Sequence, residues 1–231
     1  MTTSEARHPL PPLVVEVEGP YACFTRPEFK TERVSYPVMT PSAASGVLKA
    51  IFWKPEFDYR IEQIDVLKPI SWMSIRRNEV SSMLSMSWIR EALSDTSVRF
   101  DAEADRDQRN MVCLRDVAYR IHAQVQLRKH ADAPAAKYRE QLRRRVDRGA
   151  CFSQPFLGVR EFSASFRPPT DRRPIDHEEE LGVMLHTIVY HEDGESYRWF
   201  AAELNDGVMD VPETGVELPS GKSAGRSGGR R

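Results

Sequence analysis

Residues Thr40–Leu67 read TPSAASGVLKAIFWKPEFDYRIEQIDVL, and this stretch decides the fold. Thr40 followed by Pro41 is a helix start, with a side-chain oxygen for the cap and a proline at the first helical position. Ala44, Val47, Leu48 and Ile51 recur at helical spacing and predict one buried face. Pro55 closes the helix. Phe57–Leu67 then partly alternates between apolar and polar residues, which predicts a strand closed by Pro69. Upstream, Leu13–Val17 (LVVEV) is a β-branched run and predicts a further strand. Strand, helix, strand in this order opens a ferredoxin-like or RRM-like arrangement. Between the first strand and the helix, Gly19–Val38 is expected to be irregular, because Pro20, Pro27 and Pro37 interrupt regular structure.

Downstream, residues 71–111 are expected to form long loops, with one helix near Ser87–Leu93. Val112–Leu127 alternates at Tyr119, Ile121, Ala123, Val125 and Leu127 and predicts a long strand. A helix is expected from Ala135 to Arg148, stopped by Gly149, with Tyr138, Leu142 and Val146 on its apolar face and a basic exterior. Leu181–Tyr190 and Tyr197–Leu204 are predicted strands, turning near His191–Gly194. The fold class is therefore α+β. Residues 1–12 are expected to be a flexible lead, 13–150 a ferredoxin-like domain, 151–217 a β-rich extension, and 218–231 a disordered Gly/Ser/Arg tail.

The 231 residues are 40% hydrophobic and 29% charged, the range of a globular protein. No apolar run reaches the roughly 20 residues of a membrane span, and MTTSEARHPLPP contains no apolar signal region, so a cytoplasmic location is expected. Cys23, Cys113 and Cys151 form no CxxC pair, so neither a disulfide framework nor a metal site is expected. The formal net charge of −1 hides an asymmetry. Lys137–Arg173 carries ten basic residues against four acids, whereas Asp176–Glu217 carries twelve acids and one base. A polyanion responds to the local field rather than to the total.

Several strings then agree in order and spacing with one family. They are Gly19-Pro20-Tyr21-Ala22-Cys23-Phe24-Thr25-Arg26-Pro27, Arg33-Val34-Ser35-Tyr36, Pro41-Ser42-Ala43-Ala44 and Ile51-Phe52-Trp53-Lys54-Pro55. Arg76-Arg77-Asn78-Glu79-Val80, Leu114-Arg115-Asp116-Val117-Ala118-Tyr119, Lys137 and Phe156-Leu157-Gly158-Val159-Arg160-Glu161-Phe162 complete the set. Over about residues 13–212 the chain resembles the type I-C (Dvulg) branch of the fifth CRISPR-associated protein family, within the RAMP superfamily. The resemblance implies a ferredoxin-like domain and a metal-independent endoribonuclease that needs no cofactor. Such an enzyme cuts CRISPR precursor RNA within each repeat by attack of a ribose 2′-OH on the adjacent phosphate. It also implies retention on the 5′ handle of the product as a Cascade subunit. The implied partners are crRNA, the backbone and large subunits, and possible contact with target DNA, with no membrane.

This chemistry requires a base for the 2′-OH proton, a cation for the crowded phosphate and an acid for the departing 5′-oxygen. The family pattern has an ionisable group immediately before Trp-Lys-Pro and a Lys-His pair at the start of the later helix. Here those positions hold Phe52, which cannot move a proton, and Lys137-Tyr138. Lys137 is expected to supply the cation. Tyr138 is either a base or an apolar-face residue, and His122, His130, Tyr21 and Tyr36 are the other proton-transfer candidates. For RNA binding, Arg26, Lys30, Arg33, Arg76 and Arg77 are expected to join Arg143 and Arg144 of the basic helix around one cleft, with Phe24, Phe29 and Tyr36 stacking bases. Two alternatives stay open: a non-catalytic subunit that only binds the crRNA 5′ handle, and an unrelated protein–protein adaptor.

Overall fold

The computed structural model describes residues 10–29, 32–192 and 194–218. In chain order the elements are β1 (Leu13–Ala22), β2 (Arg33–Val34), α1 (Pro41–Ile51), β3 (Phe57–Val66), β4 (Trp72–Val80), α2 (Met86–Ser94) and β5 (Arg106–Leu127). They continue with α3 (Ala135–Asp147), β6 (Ser165–Arg167), β7 (Glu179–His191), β8 (Gly194–Leu204) and β9 (Val208–Asp210).

The main sheet runs β6-β1-β5-β3-β9. Without β9, this is a βαββαβ unit (β1-α1-β3-β5-α3-β6) in which α1 connects two strands that flank β5. All neighbouring pairs are antiparallel. This is the ferredoxin-like split βαβ topology that the sequence implied. The expected boundary at residue 150 needs correction, because the chain beyond it supplies both edges of the sheet, β6 and β9. Only the β7–β8 hairpin forms a separate two-stranded sheet.

Both helices cover one face. α1 starts as the sequence predicts, with Thr40 Oγ1 accepting from the Ala43 N–H at 3.2 Å and Pro41 in the first turn. It buries Ala44, Val47, Leu48 and Ile51. α3 buries Tyr138, Leu142 and Val146, and Gly149 takes φ 63° just beyond its end. Ala150 N–H then returns to the Arg145 carbonyl, a left-handed C-terminal closure that glycine adopts without Cβ strain. Beneath the helices lie Leu13, Val15 and Val17 of β1, Tyr119, Ile121, Ala123 and Val125 of β5, and Phe57, Tyr59, Ile61 and Ile64 of β3. Each such large apolar side chain contributes about 1.5–3 kcal/mol by leaving water.

β3 keeps its apolar face despite imperfect alternation. The register shifts between Ile61 and Gln63, so Glu62 is an extra residue and Ile61 and Ile64 both face the core. A one-residue bulge reverses the facing of everything after it. β1 runs five residues beyond its expected end, through Pro20 to Ala22. The region 71–111 holds β4 and the start of β5 rather than long loops, although α2 lies where a helix was expected. Gly158, at φ 85°, packs directly on the Cys23 carbonyl, where a Cβ would approach to 1.9 Å. No other residue fits there, which explains the glycine in the string Phe156–Phe162. Among the described residues, no helix is long and apolar enough to cross a membrane.

The opposite face of the sheet is polar. Glu16 and Asp65 are 2% and 3% exposed. Arg120 reaches both, at 2.7 Å and 3.3 Å, and donates to the Thr170 and Arg172 carbonyls. His122 Nε2 lies 3.0 Å from Asp65 Oδ2. Burial pushes the Glu16 carboxyl up, but hydrogen bonds from Thr170 and Arg120 outweigh it and hold the group below the usual carboxylate range.

Candidate RNA-processing site

The C-terminal end of α1 leads into the turn Phe52-Trp53-Lys54-Pro55, and side chains pin this turn from three directions. Arg145 of α3 donates to the Ile51 carbonyl at 2.9 Å, with its guanidinium 5.4 Å from the Phe52 ring centroid. Tyr59 donates to the Phe52 carbonyl at 2.8 Å. His130 Nε2 lies 3.0 Å from the Pro55 carbonyl. A carbonyl can only accept, so Nε2 carries the proton and Nδ1 of the exposed ring is the free acceptor.

α3 begins beside this turn. Lys137 is exposed in its first turn, which has no acidic residue and no side-chain cap. A cation at a helix N-terminus opposes the helix dipole by a few tenths of a kcal/mol, so the helix gains nothing from a lysine there. Both Lys137 and Lys54 face Asp132. The hydrogen bond from Tyr138 and then these two ammonium groups hold the Asp132 carboxyl below its ordinary range.

The three family positions therefore meet in space. Phe52 stacks near Phe57 (centroids 5.6 Å apart) and Phe57 near Tyr138 (5.0 Å). Phe52 is buried, however, and Tyr138 is 2% exposed with its hydroxyl donating to Asp132 at 2.9 Å. Burial and the Asp132 carboxylate push the Tyr138 hydroxyl up to about 12, away from the anion a base requires. The expectation of Tyr138 as a base is corrected accordingly: it is a packing residue tied to Asp132. Tyr138→Phe is expected to retain cleavage within about threefold, because the ring stays in place, and to cost about 1 kcal/mol for the lost hydrogen bond. Single-turnover kinetics and thermal melts check both.

The remaining proton-transfer candidates are spread apart. Tyr36 is fully buried and raised to about 12, chiefly by burial. His122 is bound to Asp65 on the polar face. Tyr21 packs on Phe162, with ring centroids 5.5 Å apart, toward the opposite end of the sheet. Only His130 joins Lys137.

The expected single basic cleft also needs correction. Arg143 lies by Leu13–Val15 at the start of β1, whereas Arg26 and Arg33 lie past its end at Ala22, roughly 30 Å away along the strand. The distant group is neutralised as well. Arg33 and Arg77 both reach Glu79 and Glu161, at 2.8–3.9 Å, and Arg26 faces Glu28 at 3.8 Å. Arg76 is exposed on the other face of β4. Lys30 lies outside the described residues. Tyr36 and Phe24 are too buried to stack a base, and Phe29 is 45% exposed. On α3, Arg143 and Arg144 are exposed, but Arg139 is buried, donating to Gln124 and the Pro11 carbonyl.

Sequence reasoning missed Arg145, Trp53 and Phe152. The signal for Arg145 was present: Lys137, Gln141 and Arg145 repeat every four residues, a single helix face beside the buried stripe of Tyr138, Leu142 and Val146.

Residues 12–224 match the family described as CRISPR-associated protein (Cas_Cas5). The CRISPR pre-crRNA endoribonuclease Cas5d of Mannheimia succiniciproducens is 44% identical over 211 residues, covering 86% of this chain and 93% of the relative. The protein of the same name from Thermus thermophilus is 46% identical over 219 residues, covering 87% and 91%. A crystal structure of a CRISPR-associated protein superposes with a TM-score of 0.64 at 20% identity, covering 88% of this chain and 92% of that one, and so shares the fold. With the ferredoxin-like sheet, the quoted strings and these relatives agreeing along nearly the whole length, the chain belongs to the CRISPR-associated Cas5 family, in its Cas5d branch.

Proposed function

We propose that this protein cuts precursor CRISPR RNA within the repeat, without a metal, and then holds the 5′ handle as a subunit of a type I-C Cascade complex. One observation carries the reading: an exposed lysine and an exposed histidine flank a rigid turn at the position where the family's cleavage set lies. Relatives 44% and 46% identical, both named pre-crRNA endoribonucleases, support it.

In the reaction the ribose 2′-oxygen bonds to the adjacent phosphorus and the bond from phosphorus to the 5′-oxygen breaks. The products are a 2′,3′-cyclic phosphate and a 5′-hydroxyl. His130 Nδ1 takes the 2′-OH proton, because Nε2 is committed to Pro55. Lys137 stabilises the negative charge that builds on the pentacoordinate phosphate, helped by free N–H groups at the start of α3. The departing oxygen takes its proton from water on this open surface. The backbone and large Cascade subunits are the protein partners, target DNA is a further contact of the assembled complex, and the cytoplasm is the place of action.

A second reading has its own observation. Phe52 has no ionisable atom and the Tyr138 hydroxyl is committed to Asp132, which suits a subunit that binds the handle without cutting it. Incubating the purified chain with a repeat hairpin RNA in EDTA separates the two. The first reading expects a single cut, whereas tight, salt-sensitive binding of uncut RNA establishes the second.

A further inference from the structure

α3 presents a second stripe beside its buried one. Lys137, Gln141, Arg144, Arg145 and Arg148 fall within one face, so positive charge extends about 16 Å from the proposed cleavage point, by the 1.5 Å rise per residue. The stripe ends in a groove of about 410 Å³ lined by Gln141, Arg144, Arg145, Arg148, Ala150 and Cys151, with no carboxylate in its wall. Elsewhere on the molecule arginines are matched by acids, as Arg33 and Arg77 are by Glu79 and Glu161.

The groove is rigid and has aromatic neighbours. Arg145 is held by the Ile51 carbonyl and the Phe52 ring. The chain leaving α3 doubles back, and Phe152 N–H donates to the Ala50 and Ile51 carbonyls at 3.0 and 3.2 Å, closing the end of α1. The backbone of Phe152 is thus fixed while its ring is 81% exposed. Trp53, just past the same helix end, is 45% exposed. An apolar ring held in water by a fixed backbone gains nothing for the fold. Beside an acid-free arginine groove, it matches the composition of single-stranded nucleic-acid sites, in which cations track phosphates and rings stack bases.

We propose that this groove is a subsite for an unpaired ribonucleotide next to the cleaved phosphate, with Phe152 stacking its base and Arg144 and Arg148 holding its phosphates. It rests on the RNA-processing reading and specifies which part of the RNA the protein grips: a single-stranded flank rather than the stem.

The test uses the full chain and a repeat hairpin whose cleavage-site ribose is 2′-deoxy, with anisotropy reporting affinity. Three RNAs are compared: hairpin with unpaired flanks, hairpin trimmed to its stem, and flanked hairpin with single abasic positions. Phe152→Ala is expected to weaken the flanked RNA roughly tenfold and leave the stem-only RNA unchanged. One abasic position should erase that difference between wild type and variant. Arg148→Ala should lower the salt slope of flanked binding by about one released counterion. Equal affinity of wild type and Phe152→Ala for all three RNAs, with the wild type still binding tightly, overturns the subsite alone. Failure of the wild type to bind any of them overturns the RNA-processing reading as well.

Discussion

Replacing Lys137 with alanine is expected to slow single-turnover cleavage of the repeat RNA by about 10²–10³-fold, the usual cost of losing one preorganised group that stabilises transition-state charge. The dissociation constant should rise far less, because Lys137 is one phosphate contact among several along α3. This split between chemistry and binding separates a transition-state cation from an ordinary backbone contact. The helix itself should not suffer, since Lys137 is exposed and sits at the end of α3 where a positive charge is disfavoured. Lys137→Arg keeps the charge but replaces a compact ammonium with a larger planar fork, so partial recovery is expected. A loss of affinity equal to the loss of rate would remove Lys137 from the chemistry.

The second large effect is on stability and lies across the sheet. Arg120→Met removes the cation between Glu16 and Asp65 and fills its space with an apolar chain. Two buried carboxylates are then left with only His122 and the 3.6 Å contact from Arg167. Breaking a buried ion pair by deleting one partner typically costs about 3–5 kcal/mol. For a domain of this size that lowers Tm by about 6–15 °C.

The loss should depend on pH, with a definite sign. In the native protein Glu16 and Asp65 are held low, so their contribution is present above the ordinary carboxylate range and fades as pH falls through their depressed values. In the variant the same carboxylates are buried without that cation and their values rise. Acid therefore relieves the variant, and the gap between the two melting curves should narrow from pH 7 toward pH 4.5. A gap that widens in acid would contradict the assignment.

Much of the fold was legible because local signals and packing agree. Thr40-Pro41, the 3.6-residue spacing of α1 and the hairpin near His191–Gly194 stand where the sequence put them. β4 was illegible for a physical reason: it alternates between exposed and half-buried positions and carries Arg76, Arg77, Asn78 and Glu79, so no apolar face marks its period. The bulge at Glu62 blurred β3 similarly.

The site was legible in its parts and not in its assembly. Lys137 and His130 were visible as residue types, and Tyr138 already lay on the face of Leu142 and Val146. Its bond to Asp132, six residues earlier, was not readable from helical spacing. The single basic cleft failed because counting charge along the chain cannot show pairing. Arg33 and Arg77 are matched by Glu79, from the strand that went unseen, and by Glu161 from a distant loop. The positive charge free of acidic partners lies instead along α3 and its groove.

The central claim is that the RNA supplies its own nucleophile while this protein supplies charge and a proton acceptor. A repeat hairpin carrying one 2′-deoxyribose at the cleavage site, mixed with the full chain in EDTA, addresses it most directly. The account predicts unchanged binding and no cut, with the all-ribose control ending in a 2′,3′-cyclic phosphate. Cutting of the deoxy substrate at the same phosphate would contradict it.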